Sequence, residues 1–183
     1  MDQESELDLI RKSIRGDGQA FRQLVESHQG LAYSIAFRFT RDELESEDIV
    51  QNAFVKLWKN LSKYNAEFRF KTWLSKIVTN LCLDYLKSSR RKFVSGTGWS
   101  DETTKLSAVP EDKLEEKELR SIVYQLAEQL TEKQRTVFIL RDLELLDPEE
   151  VCEILKMSPG NMKSNLYYAR LKIKEGLTGF YKN

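Results

Sequence analysis

The 183-residue chain contains few of the residues that interrupt or cross-link a fold, with eight glycines, three prolines, two cysteines and one histidine. Cys82 and Cys152 stand 70 positions apart without a CxxC motif, so neither a disulfide framework nor a zinc knuckle is supported. No apolar run approaches the roughly 20 residues that span a bilayer. The start, MDQESELDLI, is acidic, whereas a signal peptide is first basic and then apolar. We therefore expect a cytoplasmic protein, without direct membrane insertion, whose two thiols are buried and inert.

Groups that could form a catalytic or cofactor site are scarce as well. His28 is the only histidine and lies on an apolar stripe, so we expect a core or interface histidine and not a catalyst. Gly16 and Gly18 are too few to cradle a phosphate, and the chain has no GKS or GKT motif. The acidic runs at 42–48 and 115–118 are typical of helix N-terminal charge and solvated faces. We expect no enzyme, no metal, no cofactor and no small-molecule substrate.

Charge is balanced overall but unevenly distributed, with 29 basic and 29 acidic residues in total. Residues 69–94 contain seven basic residues and one acidic residue, and residues 156–183 contain six and one, giving net charges of +6 and +5. The segments before them, 1–68 and 112–155, have net charges of −3 and −6. Two basic segments, each after an acidic one, indicate two modules that each face a polyanion. Solvated helix faces would give the same blocks.

Apolar residues recur at intervals of three and four through most of the chain, which predicts an all-α fold. Long stripes at 21–39, 49–61 and 70–86 can bury one another as a small bundle. A shorter helix around 7–14 precedes them and ends near the first glycines. Alternation typical of strands is absent.

The periodicity stops at residues 95–111, where two glycines, a proline and several serines and threonines indicate a linker. A new helical stripe follows. We therefore predict two small helical domains, 1–94 and 112–183, joined by the linker 95–111.

The second domain carries three consecutive helix-start signals. Thr131 and Gln134 fit a capping box, and Asp147 with Pro148 and Ser158 with Pro159 each fit an N-cap followed by proline. The last two helices are then about three residues apart, which predicts a helix-turn-helix, although any tight helical corner gives the same spacing. The final helix leaves a set of polar residues outside its apolar stripe, which suits the major groove: Asn161, Lys163, Ser164, Asn165, Tyr168 and Lys172.

Two stretches of sequence resemble bacterial RNA polymerase sigma factors. DIVQNAFVKLW (48–58) and FKTWLSKIVTNLCLDYLKSSRRK (70–92) resemble region 2 of that family, and the segment from LTEKQRTVFIL to KIKEGL (130–177) resembles region 4. With a short linker between only these two regions, the chain is similar to the extracytoplasmic-function (ECF) group. The resemblance implies a factor that binds core RNA polymerase, recognises −10 and −35 promoter DNA and promotes transcription initiation. It also implies a cognate anti-sigma factor as an inhibitory partner.

The resemblance gives roles to two sets of residues in the first domain. The residues expected to contact core polymerase are Asp48, Gln51, Phe54, Val55 and Trp58. Trp58 could instead belong to the core. The residues expected to take up −10 DNA are Tyr64, Phe68, Arg69, Lys71, Lys76, Asn80, Asp84, Lys87 and Arg91. Rings that stack on bases and cations that pair with phosphates suit capture of a single strand. We expect Tyr64 and Phe68 to be exposed and Trp73 to be in the core.

Some positions depart from the family pattern. The turn normally has glycine where this chain has Lys156, so that residue must adopt a positive φ or a different turn, at a cost of about 1 kcal/mol. Asn52 replaces a usually acidic residue. Asn161, Asn165 and Tyr168 replace threonine and arginines, which predicts a −35 preference less dominated by guanine.

Two other classes of protein fit the same residues. One is a helix-turn-helix regulator whose first 94 residues form a signal-input domain and which binds operator DNA without polymerase. The other is an adaptor that binds only proteins, in which the basic faces at 69–94 and 156–183 have no DNA to contact.

Overall fold

A computed structural model of the chain describes residues 3–94 and 114–180, and all regular structure in these two ranges is helical. The predicted all-α class is confirmed. The chain divides into two compact units, Met1–Thr104 and Lys105–Asn183. The predicted linker at 95–111 lies outside the described residues. Within the described ranges, no helix has both the length and the apolar character needed to cross a membrane.

The first unit contains four α-helices: α1 (Gln3–Ile14), α2 (Gly18–Thr40), α3 (Glu43–Asn60) and α4 (Phe70–Val94). A short 3-10 turn, Leu61–Lys63, follows α3. The central helix α2 packs on the other three, and α3 also packs on α4. This is the bundle that the three apolar stripes predict.

Local hydrogen bonds set the starts of α2 and α3. The carboxylate of Asp17 accepts the backbone N–H groups of Gln19 (2.9 Å) and Ala20 (3.1 Å), and the carboxylate of Asp42 accepts that of Glu45 (3.0 Å). Such N-caps satisfy donors that a helix leaves without partners in its first turn. Arg41 ends α2 in the left-handed region at φ 61°, so the chain reverses within two residues before α3.

The core of the first unit follows the predicted stripes. Its largest fully buried side chains include Leu24, Ile35, Phe39, Leu57, Phe70, Leu74 and Val78. Two hydroxyl residues of α4, Ser75 and Thr79, are also fully buried, and the Oγ of Ser75 and the Oγ1 of Thr79 have no hydrogen-bond partner among the described residues. The buried face of α4 is therefore not purely apolar.

The second unit contains α5 (Leu114–Glu128), α6 (Glu132–Phe138), α7 (Pro148–Leu155) and α8 (Pro159–Phe180), and a π-helical segment, Ile139–Leu143, extends α6. One cluster joins α6 and α7 to the start of α8 through Val137, Leu140, Leu146, Val151, Ile154, Met162 and Leu166. A second cluster joins α5 and α6 to the remainder of α8 through Leu126, Ala127, Leu130, Phe138, Ala169 and Ile173. The helix α8 thus completes both cores.

The predicted caps of this unit are present. Thr131 and Gln134 form a capping box, and the carboxylate of Glu150 accepts the backbone N–H of Asp147 at 3.0 Å. Lys156 ends α7 with φ 51° and ψ 46°, so of the two alternatives for this turn it takes the positive φ. Helix α8 begins three residues later at Pro159. The helix-turn-helix geometry of α7 and α8 is confirmed.

Candidate functional site

The outward face of α3 combines polar and large apolar side chains. Asp48 and Gln51 are exposed, and Val55 and Trp58 are 51% and 41% exposed. Trp58 therefore lies at the surface and not in the core. Its ring meets Phe21 of α2 edge-to-face with 4.6 Å between centroids. Exposed aliphatic and aromatic groups beside a carboxylate and an amide are typical of a protein interface.

Two residues change the composition of that face. Phe54, which the family resemblance groups with the polymerase contacts, is only 7% exposed and belongs to the core, so it supports the face from beneath. Leu44 is 76% exposed at the start of α3. It precedes Asp48 by four positions, so it extends the stripe that runs through Gln51, Val55 and Trp58. That spacing is the sequence signal that could have found it.

The loop between the 3-10 turn and α4, residues 64–69, is closed by Tyr64 and is called the Tyr64 loop below. Its hydroxyl donates to the backbone carbonyl of Phe68 at 2.6 Å, and its ring lies 5.7 Å from that of Phe70 and 5.4 Å from that of Trp73. The pKa of Tyr64 is raised mainly by burial and to a smaller extent by the negative charge of Glu6. The expectation that Tyr64 is exposed is wrong, because it is half-buried and holds the loop together.

The other aromatic residues of the loop differ in exposure. Phe68 is 44% exposed, as expected, and is the ring of this loop available for stacking on a base. Phe70 is fully buried, and Trp73 is half-buried, so Trp73 belongs only partly to the core. Asn65 stabilises the tip of the loop by accepting the backbone N–H of Glu67 at 3.0 Å and donating to its carboxylate at 2.8 Å.

His28 of α2 connects α1 with the start of α4. The Nε2 atom of His28 lies 3.0 Å from the carboxylate of Glu6, and its Nδ1 lies 3.0 Å from the carbonyl oxygen of Leu24. The ring also meets Phe70 edge-to-face at 5.0 Å. His28 is thus an interface histidine, as predicted. The sequence gives no sign that Glu6 is its partner, because the two residues belong to different helices.

The candidate −10 residues of α4 lie along one side of the helix. Lys76, Asn80, Asp84 and Lys87 are half-buried or exposed, whereas Leu74, Ile77 and Val78 are buried. Arg69 is exposed and Lys71 is half-buried just before this stretch. Arg91 belongs to α4, but its side chain lies outside the described residues. A face with these lysines can follow a phosphate backbone, and Asp84 is its acidic member.

The predicted reading face of α8 is at the surface. Asn161, Lys163, Ser164, Tyr168 and Lys172 are exposed and Asn165 is half-buried. Tyr168 meets the neighbouring ring of Tyr167 edge-to-face at 5.4 Å. The Nδ2 of Asn165 donates to the carbonyl oxygen of Asn161 at 2.8 Å and to its Oδ1 at 2.7 Å. Two of the predicted reading residues are therefore bonded to each other.

An ion pair joins α8 to the π-helical segment. The guanidinium of Arg170 donates to both carboxylate oxygens of Asp142, from Nε at 2.8 Å and from Nη2 at 2.6 Å. These hydrogen bonds raise the pKa of Arg170. Bidentate pairing restricts orientation as well as distance. Arg170 lies beyond the predicted reading residues Asn165 and Tyr168 on the same helix, so the pair anchors the helix that carries them.

Two further sequence predictions concern metal-binding groups and the two cysteines. The described residues contain no group of three or more His, Cys, Asp or Glu side chains placed to hold a metal ion. Cys82 is fully buried, in agreement with the prediction, whereas Cys152 is only half-buried, so the prediction of burial is wrong for that residue.

Two family models match this chain. Residues 24–92 match the model for sigma-70 region 2, and residues 120–173 match the model for sigma-70 region 4. The first range contains most of α2, together with α3, the Tyr64 loop and nearly all of α4. The second contains the helix-turn-helix and the reading face of α8. Together the two ranges account for most of the chain, in the order that the resemblance implies.

Relatives and solved structures agree with these matches. The ECF RNA polymerase sigma factor SigW of Bacillus subtilis is 28% identical over 176 residues, covering 92% of this chain and 94% of the relative. The ECF RNA polymerase sigma-E factor of Escherichia coli is 29% identical over 175 residues, covering 88% of each.

The folds are similar as well. The sigma factor RpoE of Bartonella quintana, solved with the anti-sigma factor NepR, superposes with a TM-score of 0.73 at 20% identity, covering 86% of this chain and 96% of that one. CnrH, solved with the cytosolic domain of CnrY, gives 0.70 at 20% identity, covering 96% and 98%. The chain therefore belongs to the extracytoplasmic-function group of sigma-70 RNA polymerase sigma factors.

Proposed function

We propose that this chain directs core RNA polymerase to promoters, with one unit for the −10 element and the other for the −35 element. The observation that carries the proposal is the outward face of α8. As the second helix of a helix-turn-helix, it is buried on one side by two hydrophobic clusters and presents amides, lysines and a tyrosine on the other. Such a helix fits the major groove, where amides and cations meet base edges and phosphates.

Contact with core polymerase is assigned to the exposed stripe of α3. Its members are Leu44, Asp48, Gln51, Val55 and Trp58. The stripe has apolar groups at both ends and polar groups between them, so it can bury hydrophobic area and also form directional hydrogen bonds. Phe54 contributes to this role by packing, because it is buried.

The melted −10 strand is assigned to the Tyr64 loop and the adjoining face of α4. Phe68 supplies an exposed ring for a base, and Arg69 lies beside it in sequence and at the surface. Lys76 and Lys87 lie further along on the same side of α4 as Asn80, so the phosphates of a strand that leaves the loop meet lysines. Tyr64 shapes the loop from within.

The remaining parts of the proposal concern organisation and partners. Residues 1–94 serve polymerase and −10 DNA, residues 112–183 serve −35 DNA, and residues 95–111 link them. The factor binds core polymerase and positions it on promoter DNA, and it requires no cofactor, metal or small-molecule substrate of its own. It acts in the cytoplasm, because core polymerase and promoter DNA are there. A cognate anti-sigma factor inhibits it, as suggested by RpoE of Bartonella quintana, which was solved in complex with the anti-sigma factor NepR.

Run-off transcription tests the proposal. Core polymerase, with and without the full chain, is supplied with a library of randomised promoters, and specific transcripts are expected only when the chain is present. Absence of specific transcripts on every promoter would refute the proposal. If the chain instead binds operator DNA tightly without polymerase, it is a helix-turn-helix regulator. If it never changes the occupancy of DNA, with or without polymerase, it is an adaptor that binds only proteins.

The role of α3 is tested by Asp48→Ala, with Glu47→Ala as the matched control. Both carboxylates are exposed neighbours on α3, but Glu47 lies on the side that faces Tyr33. The pKa of Tyr33 is raised first by burial, then by the negative charge of Glu43 and then by that of Glu47. We expect Asp48→Ala to weaken binding to core polymerase and Glu47→Ala to leave it close to the parent value. Equal loss in both variants would assign the effect to general charge and not to the stripe.

A further inference from the structure

We propose that Asn161 and Asn165 act together as one reader of a single A·T pair in the −35 element, with Asn161 supplying the donor and Asn165 the acceptor. The proposal rests on the proposed function of α8 and specifies what that helix recognises. The two residues are four positions apart and therefore neighbours on one face of the helix.

The hydrogen bonds between the two amides determine what each can offer. A side-chain amide has two N–H donors and one carbonyl acceptor. The Nδ2 of Asn165 donates to the backbone carbonyl of Asn161 at 2.8 Å and to its Oδ1 at 2.7 Å, so both donors of Asn165 are used inside the helix. Its remaining group is the acceptor Oδ1.

Asn161 is left with the opposite character. Its Oδ1 is turned toward Asn165, and because the oxygen and nitrogen of an amide lie on opposite sides of one carbon, its Nδ2 is turned away from Asn165. The backbone N–H of Asn161 donates to the Oγ of Ser158 at 3.3 Å, which keeps the residue in the first turn of α8. The pair therefore presents one donor group and one acceptor side by side.

A donor beside an acceptor matches adenine. In the major groove adenine shows the acceptor N7 next to the donor N6, guanine shows the two acceptors N7 and O6, and thymine shows O4 and a methyl group. The Nδ2 of Asn161 can donate to N7 while the Oδ1 of Asn165 accepts from N6. Guanine at that place would bring its O6 against the Oδ1 of Asn165, which repels it.

A different arrangement makes a different prediction. An asparagine with a free amide pairs with an adenine by itself, using both its donor and its acceptor. Two independent asparagines would therefore read two base pairs, and removing one would leave the other preference intact. In the bonded pair, each residue supplies one of the two contacts to the base, and the hydrogen bonds between them set how both amides are turned, so removing either residue removes the same preference.

The test uses holoenzyme made from core polymerase and the full chain. A promoter selected from a randomised library is rebuilt with all four base pairs at each −35 position, and open-complex formation is measured for the parent, Asn161→Ala, Asn165→Ala and the double variant. For the parent we expect one position where A·T exceeds the other pairs by roughly 5- to 150-fold. Each single variant should lose that preference, and the double variant should lose no more than either one.

Three results would overturn the proposal. Loss of preference at two different positions would show independent readers, and unchanged preference in both variants would show that the amide pair only stabilises the helix. If the parent shows no −35 preference at any position, and Lys163→Ala also has no effect, the assignment of α8 to DNA is itself wrong. Lys163→Ala is the matched control, since loss of a phosphate contact should weaken all sequences about equally.

Discussion

Arg170 and Asp142 form two parallel hydrogen bonds of 2.8 and 2.6 Å that join α8 to the π-helical end of α6, although the residues are 28 positions apart. The side chain of Arg170 is 57% exposed and that of Asp142 is 20% exposed. Solvent therefore screens the charge interaction, but the paired geometry still restricts the rotation of α8 against the rest of its unit.

Asp142→Asn should lower the free energy of unfolding of the second unit by up to about 1 kcal/mol, because a single amide oxygen replaces the two acceptors of the pair. The loss should shrink near 1 M salt, where a partly exposed ion pair is already weakened. Urea unfolding at low and high salt measures both effects. Glu175→Gln, an exposed charge change on α8, is the control, and an equal loss in the control would contradict a specific role for the pair.

Lys156→Gly should stabilise the helix-turn-helix by about 1 kcal/mol, because glycine adopts the left-handed conformation without the steric cost that a side chain incurs. Lys156 has φ 51° at the end of α7. Thermal unfolding followed by circular dichroism provides the measurement. Lys174→Gly, in the interior of α8, should have the opposite sign and lose about 1 kcal/mol. A lower stability for Lys156→Gly would show that the lysine side chain makes a compensating contact.

Thr79→Val should raise the stability of the first unit by about 1 kcal/mol, because the buried hydroxyl has no partner among the described residues and valine fills the same space. The control is Thr136→Val in the second unit. There the buried hydroxyl donates to the carbonyl of Glu132 at 2.7 Å, so its loss should cost about as much as the first change gains. Denaturant midpoints compare the two, and equal signs would count against the argument.

Tyr64→Phe should alter the stability of the first unit in a pH-dependent way. Burial raises the pKa of Tyr64, so the folded chain keeps this proton to a higher pH than the unfolded chain does. The protonated Tyr64 therefore contributes fully to folding stability below the ordinary tyrosine pKa of about 10, and this contribution is lost as the pH rises through the raised pKa. At neutral pH the variant should lose about 1 kcal/mol with the hydrogen bond to Phe68.

The difference in free energy of unfolding between the parent and Tyr64→Phe should then become smaller above about pH 10. Urea unfolding across this range measures it. Tyr33→Phe is a useful comparison, because the pKa of Tyr33 is also raised, first by burial and then by the negative charges of Glu43, Glu47 and Asp42. A difference that stays constant with pH would show that the ionisation of Tyr64 is not linked to folding.

Lys163→Ala should weaken binding of the holoenzyme to promoter DNA and reduce the slope of log affinity against log salt by about one unit, as expected when one phosphate contact is lost. Filter binding or fluorescence anisotropy at several salt concentrations gives the slope. Lys12→Ala is the control, since Lys12 lies on α1 and pairs with Asp8 at 2.7 Å. An unchanged slope for Lys163→Ala would remove that residue from the phosphate contacts.

The helices, their caps and the helix-turn-helix could be predicted from the sequence because local interactions determine them. The capping box of Thr131 and Gln134 spans three residues, and the apolar stripes need only a period of 3.6. The same periodicity correctly placed the exposed face of α8 and the buried stripe of α4. A local rule about how helices end reduced Lys156 to two alternatives, a positive φ or a different turn, and the structure has the positive φ.

Tertiary packing decided which of these residues are accessible and how they are held. Tyr64 and Phe68 look alike in sequence, but the ring of Tyr64 packs against Phe70 and Trp73 and is half-buried, so Phe68 is the more exposed of the two. The contacts of Glu6 with His28 and of Asp142 with Arg170 join separate helices. Their formation depends on the orientation of those helices, which the periodicity of a single helix does not encode. The sequence by itself thus determined the helices and the family, whereas packing between helices determined the surface each one presents.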